Sequence, residues 1–198
     1  MNTRSLRSVC VFTGSSFGRQ PAYETAARAL GAEIAKRGLT LIYGGASVGL
    51  MGAVADAALD ADGRVVGVLP KALADLEIAH EGLTELKVVD SMHARKTAMA
   101  DASDAFVALP GGLGTAEETF EVWTWSQLGI HQKPIGFLNV DGYFDALFNF
   151  LDHAVAEGFV KQKHNDLAVR TSHPSELLDA LSAVNTTYEP KWIDKPDR

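Results

Sequence analysis

The sequence predicts an open, doubly wound α/β protein: a mostly parallel sheet with helices on both faces. Apolar runs of strand length alternate with helical stretches along nearly the whole chain. Most of those runs are continuous rather than alternating, which suits strands covered on both sides. Three of them lead straight into glycine-rich loops, at the carboxyl ends of strands where such sheets gather their ligands.

Taken in order, a first strand is expected over Ser8–Thr13 and a helix over Ala22–Arg37. Pro21 before that helix and Gly38 after it are the expected start and stop residues. Thr40–Tyr43 reads as a strand, Gly49–Ala61 as a helix and Arg64–Leu69 as a strand. Leu86–Asp90 and Ala105–Leu109 are strands that flank a helix over Met92–Ser103. A helix over Ala116–Leu128, a strand over Pro134–Val140 and a helix over Tyr143–Glu157 follow. Leu167–Arg170 is a candidate seventh strand before a last helix over Pro174–Ala183. One domain over 1–198 is expected, with its core at about 8–185 and a loosely ordered tail at 186–198.

The composition narrows the partners. The chain has 198 residues, 46% hydrophobic and 22% charged, with a net charge of −7. That acidic balance argues against a general nucleic-acid or membrane-surface binder, yet a few local cations can still hold one small anion. The single cysteine, Cys10, sits in an apolar run and reads as a buried core thiol, which fits a reducing, cytoplasmic setting. Met1–Ser8 is polar and short, so no apolar leader is expected, and no run reaches the roughly 18 apolar residues of a membrane span. The six histidines show no metal-ligand spacing, so no metal is expected.

The three loops are Gly14–Gly18, Gly44–Gly52 and Pro110–Thr115. Glycine lets a backbone approach a phosphate closely, and a following helix adds unsatisfied N–H groups. Tight strand-to-helix turns need glycine for their own sake, but three such loops on one sheet edge favour phosphate binding. Contacts are expected from Gly14, Ser15 and Ser16 in the first loop and from Gly44 and Gly45 in the second. Neither the dinucleotide fingerprint nor the P-loop pattern is present.

Two further groups stand near these loops. Met92-His93-Ala94-Arg95-Lys96 opens a helix just after a strand, which brings Arg95 and Lys96 toward the ligand edge. Arg95 can clamp a carboxylate or phosphate through its fork. Thr115-Ala116-Glu117-Glu118 fits a capping box, in which Thr115 caps the helix and Glu118 reaches back. The other reading turns Glu118 into the crevice, paired with Arg95, to stabilise a cationic sugar centre or activate water. Spacing alone leaves both open.

These residues carry a family resemblance. Pro110-Gly111-Gly112-Leu113-Gly114-Thr115-Ala116-Glu117-Glu118 resembles the PGGxGTxxE signature of the Lonely Guy family, and Met92–Lys96 resembles its MHxRK motif. Phe12–Gly18 and Tyr43–Gly52 are similar to its two earlier glycine loops, with Ala46 where a third glycine is usual. The likeness spans about Val9 to Phe159. The family comprises cytokinin riboside 5'-monophosphate phosphoribohydrolases, long labelled as lysine decarboxylases. The resemblance implies a Rossmann-like fold, a homodimer and a nucleoside 5'-monophosphate substrate. It implies Arg95 and Glu118 as the catalytic pair, whose hydrolytic chemistry needs no cofactor. It implies substrate contacts from Glu77, Arg95, Lys96, Gly111, Gly112, Leu113, Gly114, Thr115, Ala116, Glu117 and Thr124, with Met92 beside them. A nucleotide sensor or molybdenum-cofactor carrier of the same fold is the alternative. It would keep the loops but has no use for the Arg95–Glu118 pairing.

Overall fold

The computed structural model describes residues 5–74 and 78–184. Glu77 and the tail expected at 186–198 lie outside them. Seven strands form one sheet: β1 Ser8–Phe12, β2 Thr40–Tyr43, β3 Val65–Pro70, β4 Glu85–Val89, β5 Ala105–Ala108, β6 Ile135–Leu138 and β7 Ala168–Thr171. Every pairing is parallel and the spatial order is β4-β3-β2-β1-β5-β6-β7. The helices are α1 Pro21–Lys36, α2 Gly49–Asp60, α3 Lys71–Ala74, α4 Met92–Asp101, α5 Leu113–Leu128, α6 Asp145–Ala156, α7 Gln162–Asn165 and α8 Pro174–Ala183. The fold is the Rossmann-like, doubly wound sheet that the alternation predicts.

The inner strands are largely apolar because each face of the sheet has its own helix layer. On β1, Val9 and Val11 join a core with Leu30 of α1, Val54 of α2 and Leu177 of α8. Cys10 and Phe12 point the other way, into a core with Met99 of α4, Trp123 of α5 and Phe148 of α6. This is the period-2 alternation of a strand, with both of its faces apolar. The edge strand β4 departs from the expectation of two-sided burial. Glu85, Leu86, Lys87 and Val88 are all exposed, Val88 by 52%, as residues of the edge strand that pairs with β3 alone among the described strands.

Local signals fix the helix ends. Pro21 occupies the first turn of α1. At its far end Gly38 adopts a φ of +67°, and the Gly38 and Leu39 N–H groups donate back to Ala35 and Ile34 carbonyls. Two boundaries differ from expectation in ways that matter. Helix α5 begins at Leu113, three residues earlier than Ala116, because Gly112 is the extended residue before it. Helix α6 begins at Asp145 rather than Tyr143, since Asp141 and Gly142 both take left-handed backbone angles in a short 3-10 turn, Val140–Gly142.

Candidate active site

Strand order sets the site. After β1 the chain winds outward through β2, β3 and β4, then returns to place β5 on the other side of β1. The loops leaving β1 and β5 therefore part over a crevice, the usual ligand position in an open parallel sheet. They are tied at its floor. Gly14 N–H and Thr13 Oγ1 both donate to the Pro110 carbonyl, each at 3.1 Å. The second glycine loop joins them through Met51 N–H, which donates to Gly14 O at 3.3 Å. Gly49 fits there because a Cβ at that position would sit 2.3 Å from the Ser15 carbonyl carbon.

Helix α4 delivers the cation. Ser91 caps it by accepting from Ala94 N–H at 3.1 Å, and Arg95 follows in the first turn, only 8% exposed. Its Nε donates to Val68 O at 3.1 Å. Its guanidinium lies so close to Gly44 that a Cβ there would be 2.1 Å from Nη2. Gly44 is thus the bed on which Arg95 rests rather than an element of the cavity wall.

Helix α5 delivers the carboxylate. Glu118 Oε1 stands 3.6 Å from Arg95 Nη2, and its side chain is 12% exposed. Beside this pair, Lys96 Nζ holds Glu117 at 2.6 Å and Glu121 at 3.1 Å. The capping-box reading is overturned. Gly112 takes the cap position, so Thr115 lies inside the first turn, where its carbonyl accepts from Thr119 Oγ1 at 2.6 Å. Glu118 is therefore free to turn toward Arg95. No side chain caps the start of α5, and the first-turn N–H groups of a helix have no intrahelical partner, so they can receive an anion.

Arg95 does not hold Glu118 at an ordinary acidity. Burial pushes the Glu118 carboxyl up, and the pull of Arg95 downward is the smaller influence. Ala46, where a third glycine is usual in the family, needs no left-handed angle. The left-handed angles of that loop fall on Gly45 and Gly49, while Ala46 makes a bridge to Ala79.

Two cavities open on either side of the Gly14, Ser15 and Gly112 backbone. The larger, about 280 Å³, is lined by Thr13, Met51, Met92, Arg95, Leu113, Gly114, Thr115, Glu117 and Glu118 as well as the shared three. The other, about 230 Å³, adds Ser16, Gly111, Phe17, Gly18, Leu50, Pro110, Tyr23 and Tyr143. Most of the expected site residues are thereby gathered in one crevice. Lys96 is outside the lining and acts on Glu117 instead. Ala116 faces a small apolar hollow with Phe120 behind the loop. Thr124 is exposed and lines neither cavity; it lies six residues beyond Glu118, about 9 Å further along α5. Sequence reasoning missed Tyr23 and Tyr143. The Asp141-Gly142 pair before Tyr143 was the available signal, since such dipeptides mark tight turns. Among the described residues no group of three His, Cys, Asp or Glu is placed to hold a metal.

Fold and site together define a Rossmann-like α/β protein with a buried arginine–glutamate pair beside an uncapped helix start. A family profile described as "Possible lysine decarboxylase" matches residues 51–181. A rice (Oryza sativa subsp. japonica) relative named probable cytokinin riboside 5'-monophosphate phosphoribohydrolase LOGL2 is 49% identical over 183 residues, 92% of this chain and 75% of that one. The Arabidopsis thaliana cytokinin riboside 5'-monophosphate phosphoribohydrolase LOG3 is 46% identical over 189 residues, 96% and 88% of the two chains. The molybdenum cofactor binding protein of Rippkaea orientalis shares the fold, with a TM-score of 0.68 at 24% identity, covering 92% of this chain and 98% of that one. The chain belongs to the cytokinin riboside 5'-monophosphate phosphoribohydrolase family, the Lonely Guy family.

Proposed function

We propose that this protein hydrolyses the bond between base and ribose in nucleoside 5'-monophosphates, taking cytokinin riboside 5'-monophosphates, AMP or both. Water adds to the anomeric carbon, the base leaves with a proton, and ribose 5-phosphate remains. The observation that carries this reading is the buried Arg95–Glu118 pair, 3.6 Å apart, one and a half turns from a bare helix start. The N–H groups of Gly111–Thr115 hold the 5'-phosphate, and binding energy from that remote group positions the sugar. As the base departs, positive charge grows on the ribose. Glu118 stabilises that charge or activates the water, and Arg95 fixes where Glu118 points. Met92, Ser15 and Leu113 line the space around the sugar and base, and the family resemblance assigns a further substrate contact to Glu77. Lys96 serves by holding Glu117.

The enzyme works as a homodimer. Met92 and Leu113 stand 47% and 91% exposed at the mouth of the crevice, apolar surface that a second copy would cover; Thr124, on α5, belongs to the substrate-binding set that the family resemblance implies. A free thiol suits the reducing cytoplasm, and no described helix is long and apolar enough to cross a membrane.

Incubation with AMP and with isopentenyladenosine monophosphate, followed by chromatography for the free base, tests the reading. Base release is expected, with adenosine a poor substrate because it lacks the phosphate. An intact protein that releases no base from either nucleotide, or one that cleaves adenosine equally well, would refute it.

A further inference from the structure

We propose that Tyr143 is a positioning residue for the anion loop. It keeps the Gly111–Gly112 peptide turned so that N–H, and not C=O, is offered to the ligand. The inference rests on the phosphate-anchor reading and adds the device that holds the anchor in shape.

The Tyr143 hydroxyl donates to the Gly111 carbonyl across 32 residues of sequence. In a planar trans peptide the C=O of one residue and the N–H of the next point in opposite directions. Fixing the Gly111 carbonyl on Tyr143 therefore aims the Gly112 N–H away from it. Two adjacent glycines have little steric resistance to a peptide flip, and a flipped peptide would present a partial negative charge to a phosphate. The peptide before this one is already secured, since its Pro110 carbonyl accepts from Gly14 N–H and Thr13 Oγ1. Tyr143 supplies the corresponding hold on the next.

The turn that carries Tyr143 is built for the purpose. Asp141, a non-glycine residue, adopts φ +48° and Gly142 adopts φ +73°. Such angles at a non-glycine residue persist where the surroundings enforce them. The enforcement is visible. Asn139 Oδ1 accepts from Phe144 N–H at 2.8 Å, and its Nδ2 donates to Asp145 Oδ1 at 2.7 Å. The Tyr143 ring packs edge-on against Tyr23 and Phe144, at centroid distances of 5.4 and 5.0 Å. Both tyrosines wall the smaller cavity, directly against Gly111 and Gly112.

Tyr143→Phe keeps the ring packing and removes the hydroxyl. It should raise KM for AMP and the inhibition constant of ribose 5-phosphate by the same factor, about tenfold. It should leave kcat and the slow cleavage of adenosine near parental values. A purely structural role would instead lower kcat on both substrates. Unchanged AMP KM and ribose 5-phosphate inhibition, or equal losses with AMP and adenosine, overturns the proposal while the parent's base release still supports the hydrolase reading. A parent that neither releases base nor binds ribose 5-phosphate overturns both. One measurement needs no variant: in the parent, the Gly112 amide resonance must move on saturation with ribose 5-phosphate. A Gly112 amide indifferent to that ligand also overturns the proposal.

Discussion

Glu118 is held at odds with its surroundings. Burial raises its pKa above the ordinary value of 4.5 in spite of Arg95. Between that ordinary value and the raised one, the folded state binds more protons than the unfolded state. Stability therefore falls as pH rises through that window and is level beyond it. Glu118→Gln removes the buried charge, so the variant should melt above the parent at pH 7, and the gap should close on acidification below 4.5. Calorimetry across that range decides the matter. The same substitution should lower kcat by about 10²- to 10³-fold, the familiar opposition between a strained site and a stable one. The acid limb of the parent's kcat/KM profile should lie above the ordinary glutamate range if the ionised form does the work. Arg95→Lys keeps a charge but loses the fork that reaches Val68 O and Glu118 together. A drop in activity close to that of Arg95→Ala is expected in steady-state assays. At this scale the sequence was legible in residue type and silent on direction. Two readings of Glu118 differed only in whether the helix began at Leu113 or Ala116. Glycines in a first turn carry no side chain that would announce the cap.

At the scale of elements, the segment 78–80 is tied to the second glycine loop by two backbone hydrogen bonds and to α2 by a side chain. Ser47 N–H donates to Ile78 O and His80 N–H to Gly45 O, each at 3.0 Å. The His80 ring accepts from Gly82 N–H at Nδ1, which assigns the proton to Nε2, and that atom donates to Asp56 on α2 at 2.9 Å. His80→Ala should cost about 1 to 2 kcal/mol and speed hydrogen exchange at the backbone amides of Ser47 and position 80; exchange no faster than in the parent would deny the clamp. Gly44→Ala acts on the site instead, because its methyl displaces the Arg95 guanidinium. Activity should fall with little change in melting temperature. The inner strands were readable almost to the residue, since a run apolar on both faces has little ambiguity. The strand expected over Pro134–Val140 is shorter, Ile135–Leu138, because the Asn139 side chain turns the chain toward Tyr143. Helices α3 and α7 went unseen, four residues each being too few to show a period.

For the whole molecule, the alternation of strand and helix fixed the class but not the order of strands. That order places three loops far apart in sequence, at residues 14, 44 and 111, around one crevice. Nothing in the periodicity of any one stretch records which neighbour it will have, so the crevice's two-lobed form had no counterpart in the linear pattern. Helix α5 presents Leu113 almost fully to solvent at the rim. Light scattering should return the mass of two chains, and Leu113→Glu should shift that mass toward one. A parent that runs as a monomer at micromolar concentration would remove the homodimer from the description.

Cys10 occupies the middle of the central strand with no solvent exposure, and burial drives its thiol far from ionisation. Alkylating reagents attack the thiolate, so the sulfur should stay silent until the sheet itself separates. The protein thereby carries its own stopwatch for global opening. The rate of maleimide incorporation, followed by mass spectrometry, should slow in step with added ribose 5-phosphate, as expected for a ligand that favours only the closed chain.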